Sequence, residues 1–231
     1  MTALVLCSHG TRSSVGAARI SALVAAVAAE LPDVEVREAH VDVHPPYLDD
    51  IVEVGDLIVP LLLAPGYHVD VDIHRASMRV SARVTRALGP DPRLTALLCA
   101  RLDALRPTLA EDDLIVLAAA GSSVQGSEDS VGAAAAELAA RLGRRIEVGY
   151  GASCQPLLPD LLAALRSRHH GCRIVGLSYL LAPGHFQDRL LATGFDAVTD
   201  ALLDSEVPDP RLVELVVERY RELAGECAHV Q

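Results

Sequence analysis

The sequence predicts an α/β protein of two duplicated units, each a parallel sheet flanked by helices. Three observations predict it. Short apolar runs alternate with longer Ala- and Leu-rich stretches along the 231 residues, the rhythm of βα units. The runs are continuous in Val, Leu and Ile, as strands covered on both faces require. The motifs are also written twice in the same order. LVLCSHG at 4–10 aligns with IVLAAAG at 115–121, PYL at 46–48 with PLL at 156–158, and LLAPG at 62–66 recurs at 180–184. The offsets of 111, 110 and 118 are nearly constant, which marks duplication of about half the chain. The expected division is 1–111 and 112–231.

Strands are expected near 3–8, 34–41, 57–63 and 94–98, then near 114–120, 145–150, 173–180 and 196–199. Helices are expected near 15–30, 47–53, 73–88 and 100–108, then 128–142, 157–168, 185–192 and 210–223. Ser13 or Ser14 suits the cap of the first helix. Asp72 suits the cap of the third, because it precedes the helical run from Ile73.

Composition removes several functions. The chain is 51% hydrophobic and 22% charged, with a net charge of −11, so it is not disordered. An acidic chain without an Arg-rich run and with seven aromatics offers nucleic acid neither a basic surface nor a stacking platform. The longest apolar stretch, 57–67, is broken by Pro60 and Pro65 and falls short of the ~20 residues of a spanning helix. The N-terminus has no signal-peptide pattern. Cys7, Cys99, Cys154, Cys172 and Cys227 are scattered without a CxxC, which argues against disulfide frameworks and thiolate metal or iron–sulfur clusters and fits a reducing cytoplasm. Neither GxGxxG nor GxxxxGK[ST] occurs, so no nucleotide is expected. A duplicated chain that builds its own cleft is expected to be a monomer.

Equivalent loops of the two copies fall at the carboxyl ends of strands, where open α/β sheets bind ligands. The copies differ there. His9 follows the first strand, and Gly10 lets the chain turn sharply beside it; the second copy has Ala120. His68 follows Gly66 and Tyr67; the second copy has Phe186. Asp42 ends the second strand in HVDVHPP at 40–46; its counterpart is Ala152. Imidazole both binds mid-series divalent metals and titrates near neutrality, so one active site, in the first copy, is expected. His40 and His44 are expected to be partly exposed around the strand end, and Asp70 and His74 to be solvated. Arg75, Arg79, Arg83 and Arg86 lie at helical spacing; Arg12 and Arg75 are the candidates to meet an anionic substrate.

SHG after the first strand, a carboxylate four residues before Pro46, and LLLAPGYHVDVDI at 61–73 resemble the sirohydrochlorin chelatases of the CbiX/SirB type, in the class II chelatase superfamily. The resemblance spans nearly the whole chain, since long members are internally duplicated. It implies flavodoxin-like halves facing each other across a cleft. It also implies ATP-independent insertion of Fe²⁺ or Co²⁺, with Ni²⁺ a further option, into sirohydrochlorin or a related tetrapyrrole in sirohaem or cobalamin synthesis. The family's histidines map onto His9 and His68 as metal ligands and bases, with Gly66 beside the substrate. Its carboxylate, usually Glu, maps onto the shorter Asp42. His44 is an extra histidine, and His74 stands where many relatives carry a helix-starting Pro. His185 sits one residue too close to its glycine to be the counterpart of His68, and is a candidate for the far wall of the cleft.

Metal insertion exchanges two pyrrole protons for one M²⁺. It needs a base and ligands that release the metal, which His and carboxylate supply better than a closed thiolate cage. Two rivals remain. A histidine phosphatase carries Arg-His-Gly, but Ser8 here replaces the phosphate-binding Arg. A metal or tetrapyrrole carrier would use the same ligands without turnover.

Overall fold

The structure is a computed structural model that describes residues 2–105, 109–122 and 126–228, without the side chains of 67–70 and 226–228. It divides into two compact units.

The first unit holds residues 1–88 and 205–231. Its elements are β1 (Leu4–Ser8), α1 (Ser14–Glu30), β2 (Val36–His40), α2 (Leu48–Ile51), β3 (Leu57–Pro60), α3 (Tyr67–Val80) and β4 (Arg83–Val84). The second unit, residues 89–204, holds α4 (Pro92–Asp103), β5 (Leu114–Ala119), α5 (Ser127–Leu142), β6 (Ile146–Tyr150), α6 (Leu158–Arg168), β7 (Ile174–Tyr179), α7 (His185–Ala192) and β8 (Ala197–Val198). The C-terminal helix α8 (Pro210–Ala228) belongs to the first unit.

The first sheet runs β2-β1-β3-β4 and the second β6-β5-β7-β8, every pairing parallel. The expected class holds. The central strands are buried on both faces. Val5, Cys7 and Ile58 pack against α2 and α3 through Leu48, Ile73 and Ala76. Val116, Ala118 and Ile174 do the same against α6 and α7 through Leu158, Leu161 and Leu190. Burial pushes the Cys7 thiol up to about 12, so it stays protonated as a core side chain.

Three expectations are corrected. The apolar run at 94–98 is helical, not a strand. Asp91 accepts from Arg93 N–H at 3.0 Å, Pro92 opens the helix, and Leu94, Leu97, Leu98 and Leu102 are buried. Those spacings form one helical face, but a window of five residues alone does not separate strand from helix. The third helix starts earlier and ends sooner than 73–88: Gly66 is its N-cap, so Asp72 lies inside it, and Ser81 ends it in a left-handed conformation. Arg83 then lies in β4, and the expected four-arginine helical stripe reduces to Arg75 and Arg79.

The packing units also part from a cut at 111/112. Helix α4, from the first repeat, packs on α5 and β7 of the second unit, while α8, from the second repeat, packs on α1 and β3 of the first. Each repeat's last helix completes the other unit. Arg219 of α8 fixes this exchange within the first unit. Its guanidinium is 0% exposed and donates to the carbonyl of Leu88 at 3.1 Å and to Glu222 at 3.3 Å. Sequence periodicity gives a helix but not the sheet it covers.

Candidate active site

The strand order reverses direction between β1 and β3, so the loops after these two strands flank a switch point, where such sheets bind ligands. His9 leaves β1 there, and α3 begins after β3. The β1 and β2 ends are tied by backbone: Val41 N–H donates to Ser8 at 2.9 Å and Asp42 N–H to His9 at 3.0 Å. Gly10 has φ +93, and a Cβ there would overlap the Asp42 carbonyl oxygen. Only glycine combines that conformation with that approach. The ladder brings His9 beside Asp42, thirty-three residues later in the chain.

These two residues line a cavity of about 360 Å³ with Tyr47, Asp49, Asp72 and Arg75. The His9 and Asp42 side chains are exposed. One Asp42 oxygen accepts from the Val43 amide at 2.6 Å; the carboxylate closes its own loop while facing the cavity. Arg75 donates to Asp72 at 3.0 Å and lies 3.9 Å from Asp49, with its side chain 66% exposed. Such an open pair contributes little to stability, and the guanidinium is accessible from solvent.

The other expected residues fall as follows. The His68 side chain lies outside the described residues; its backbone is in α3, one turn before Asp72. The side chain of Asp70 lies outside them too. Gly66 is the N-cap of α3. Arg12 is exposed and does not line the cavity, and His74 is exposed on α3 away from it. His185 is exposed, with its ring 5.7 Å from that of Phe186. Among the described residues no three His, Cys, Asp or Glu side chains are grouped to hold a metal ion.

His40 departs from expectation: it is 2% exposed. Its Nδ1 is 2.8 Å from Ser8 Oγ, its Nε2 is 3.5 Å from Glu38, and its ring centroid is 4.1 Å from that of His44. Burial first, and His44 second, lower its pKa to about 4, so it is neutral near pH 7. His44 is half-buried and its Nε2 has no partner. Sequence reasoning also missed Tyr47, Asp49 and Asp72 as cavity walls. The signal for Asp72 was its place one helical turn after His68.

The second unit repeats the scaffold without the side chains. Gly151 N–H donates to Ala119 and Ala152 N–H to Ala120, both at 2.9 Å. Gly121 has φ +88, and a Cβ there would overlap the Ala152 carbonyl oxygen. The matching cavity is about 40 Å³, lined by Gly151, Leu158, Phe186 and Arg189 among others.

The family model described as CbiX matches residues 3–105. That match lies within the first repeat. No curated protein matches the chain significantly by sequence. Among solved structures, SirB from Bacillus subtilis with Fe³⁺ superposes with a TM-score of 0.81 at 17% identity, over 100% of this chain and 98% of that one. SirB from Bacillus subtilis subspecies spizizenii in complex with cobalt gives 0.75 at 15%, over 100% and 98%. CbiX, described as the terminal enzyme for biosynthesis of siroheme in denitrifying bacteria, gives 0.68 at 22%, over 95% and 98%. The two parallel sheets flanked by helices are thus the chelatase fold, and the segment matched by the CbiX model carries His9, Asp42 and His68.

Proposed function

We propose that the chain is a metal chelatase that inserts a divalent cation into sirohydrochlorin or a related tetrapyrrole without ATP. The observation that carries the reading is the polar cavity of the first unit, where an exposed imidazole and a carboxylate from adjacent strand ends face one space. In this reading M²⁺ and the tetrapyrrole are both substrates. His9 and His68 hold the incoming ion, and the helical register puts position 68 on the face of α3 that carries Asp72 and Arg75. Each insertion releases two pyrrole protons. The two imidazoles, no longer bound to metal, accept one each, and Asp42 beside His9 orients that ring or relays protons to water. Ligands of this kind hold mid-series metals loosely enough to pass them on. Arg75 exchanges Asp72 for a substrate carboxylate, and Arg12, on the turn after His9, is a second carboxylate contact.

Fe²⁺ and Co²⁺ are the metals of the reading, and sirohaem or cobalamin synthesis its setting. The two SirB structures that this fold matches hold Fe³⁺ and cobalt, which supports iron and cobalt as the elements. Adding Co²⁺ and sirohydrochlorin and following the macrocycle absorbance tests it. A protein-dependent rate that collapses in His9→Ala and His68→Ala is expected; equal rates with and without protein reject the proposal. A carrier would bind both substrates without accelerating their union.

A further inference from the structure

We infer that the buried Ser8–His40 pair holds the turn that carries His9, which makes His40 a positioning residue of this site. Ser8 and His40 are register partners on β1 and β2, and they are 6% and 2% exposed. The directions of the hydrogen bonds follow from the groups available. Glu38, 3.5 Å from Nε2, is an acceptor, so the ring proton sits on Nε2. Nδ1 is then the acceptor, and the Ser8 hydroxyl donates to it across 2.8 Å. The Ser8 oxygen is left to accept, and Gly10 N–H donates to it at 3.3 Å.

That last bond runs from residue i+2 back to the side chain of residue i and closes a ring around His9. With the Asp42 N–H bond to the His9 carbonyl, it holds both ends of the His9–Gly10 peptide group, while Val41 N–H holds the Ser8 carbonyl of the peptide before His9. The chain of donors continues to α1, where Ser21 donates to Glu38 at 3.1 Å. A buried hydroxyl free to rotate would choose among acceptors; an imidazole fixed by strand, carboxylate and the His44 ring leaves it one.

The repeats supply an internal control. The copy that bears His9 has both the hydroxyl and its acceptor. The copy that bears Ala120 has Ala119 and Tyr150 in their places, although its backbone turn is the same. The turn therefore forms without the pair, and what the pair adds is a restraint on the residue that has an imidazole to aim.

The kinetic consequence rests on the chelatase reading; the structural one does not. Four variants test both: Ser8→Ala, His40→Phe, His40→Asn, which returns an acceptor near the Nδ1 position, and the double variant Ser8→Ala/His40→Phe. In ¹⁵N-histidine-labelled protein, His40 is expected as the Nε2–H tautomer, and Gly10 amide exchange is expected to rise about tenfold or more in Ser8→Ala and His40→Phe. With Co²⁺ and sirohydrochlorin, kcat is expected to fall roughly ten- to a hundredfold in either single variant with KM little changed. It should recover in His40→Asn and fall no further in the double variant. A wild-type kcat in His40→Phe, unchanged Gly10 exchange, or additive losses would overturn the inference. If the wild-type protein inserts no metal, the chelatase reading fails, and the tautomer and Gly10 exchange still decide the positioning role. If His40→Phe does not fold, Ser8→Ala reads the other end of the same bond.

Discussion

The loops after β1 and β2 and those after β5 and β6 have one backbone and two different contents. In both, a glycine with positive φ sits against a carbonyl oxygen, two amides tie the strand ends, and a proline follows: Gly10, Asp42 and Pro46 against Gly121, Ala152 and Pro156. The cavity is polar and about 360 Å³ in one and about 40 Å³ in the other. Where the first has His9, Asp42 and His68, the second has Ala120, Ala152 and Phe186. The Phe186 ring lies beside Gly151 and lines the smaller cavity with it. Turn residues are demanded by steric constraints that any copy of the fold meets. Cavity side chains are demanded only by chemistry, and a copy that does none is free to fill with carbon.

The contrast is broken most directly at His9. His9→Ala is expected to cost about a hundredfold or more in metallation rate, while Ala120→His is expected to add nothing, because its cavity is filled. A rise in rate from Ala120→His would show that the second cavity is only dormant.

The scaffold, by contrast, should be equally sensitive in both copies. Gly10→Ala and Gly121→Ala each force a Cβ into a carbonyl oxygen, and each should lower stability by about 3 kcal/mol in denaturant titration. Only Gly10→Ala should also abolish metal insertion at temperatures where both variants are folded.

Acid distinguishes the copies next. Folded His40 takes its proton near pH 4, whereas an unfolded chain takes it near 6.5. Between these values the unfolded state binds more protons, so this contribution to stability is full above about 6.5 and is lost as pH falls toward 4, by at most roughly 3 kcal/mol. Glu38 and His44 face the same ring. In His40→Phe, as at Tyr150 in the second unit, this share of the acid loss should vanish when stability is followed against pH.

The smallest effect is expected at the loop tips. Val43 has φ 75 and Ser153, its counterpart, φ 64. A β-branched residue fits the left-handed region poorly. Val43→Asn should therefore stabilise by about 1 kcal/mol, and Ser153→Asn by distinctly less, in paired thermal melts.

Much of this comparison was legible beforehand. The duplication, the parallel strands and the asymmetry of His9 against Ala120 follow from residues in register. The helix at α4 was not legible, because LTALL satisfies either period over so short a window, and its decision came from Asp91, Pro92 and the buried stripe through Leu102. His40 was read as partly exposed because a strand end tells nothing of what covers it. Its partner Ser8 is thirty-two residues away and becomes a neighbour only through the β1–β2 register.

The sequence alone determined the repeat, the order of strands and helices through most of the chain, and which copy carries His9, Asp42 and His68, since each depends on residue type at a given spacing. Only the tertiary structure decided that α4 and α8 cover each other's sheets, that His9 and Asp42 share one cavity with Asp72 and Arg75, and that Ser8 and His40 are joined in the interior. Those facts depend on which strand lies beside which, and pairing through space is set by packing across the whole sheet rather than by any local pattern of residues.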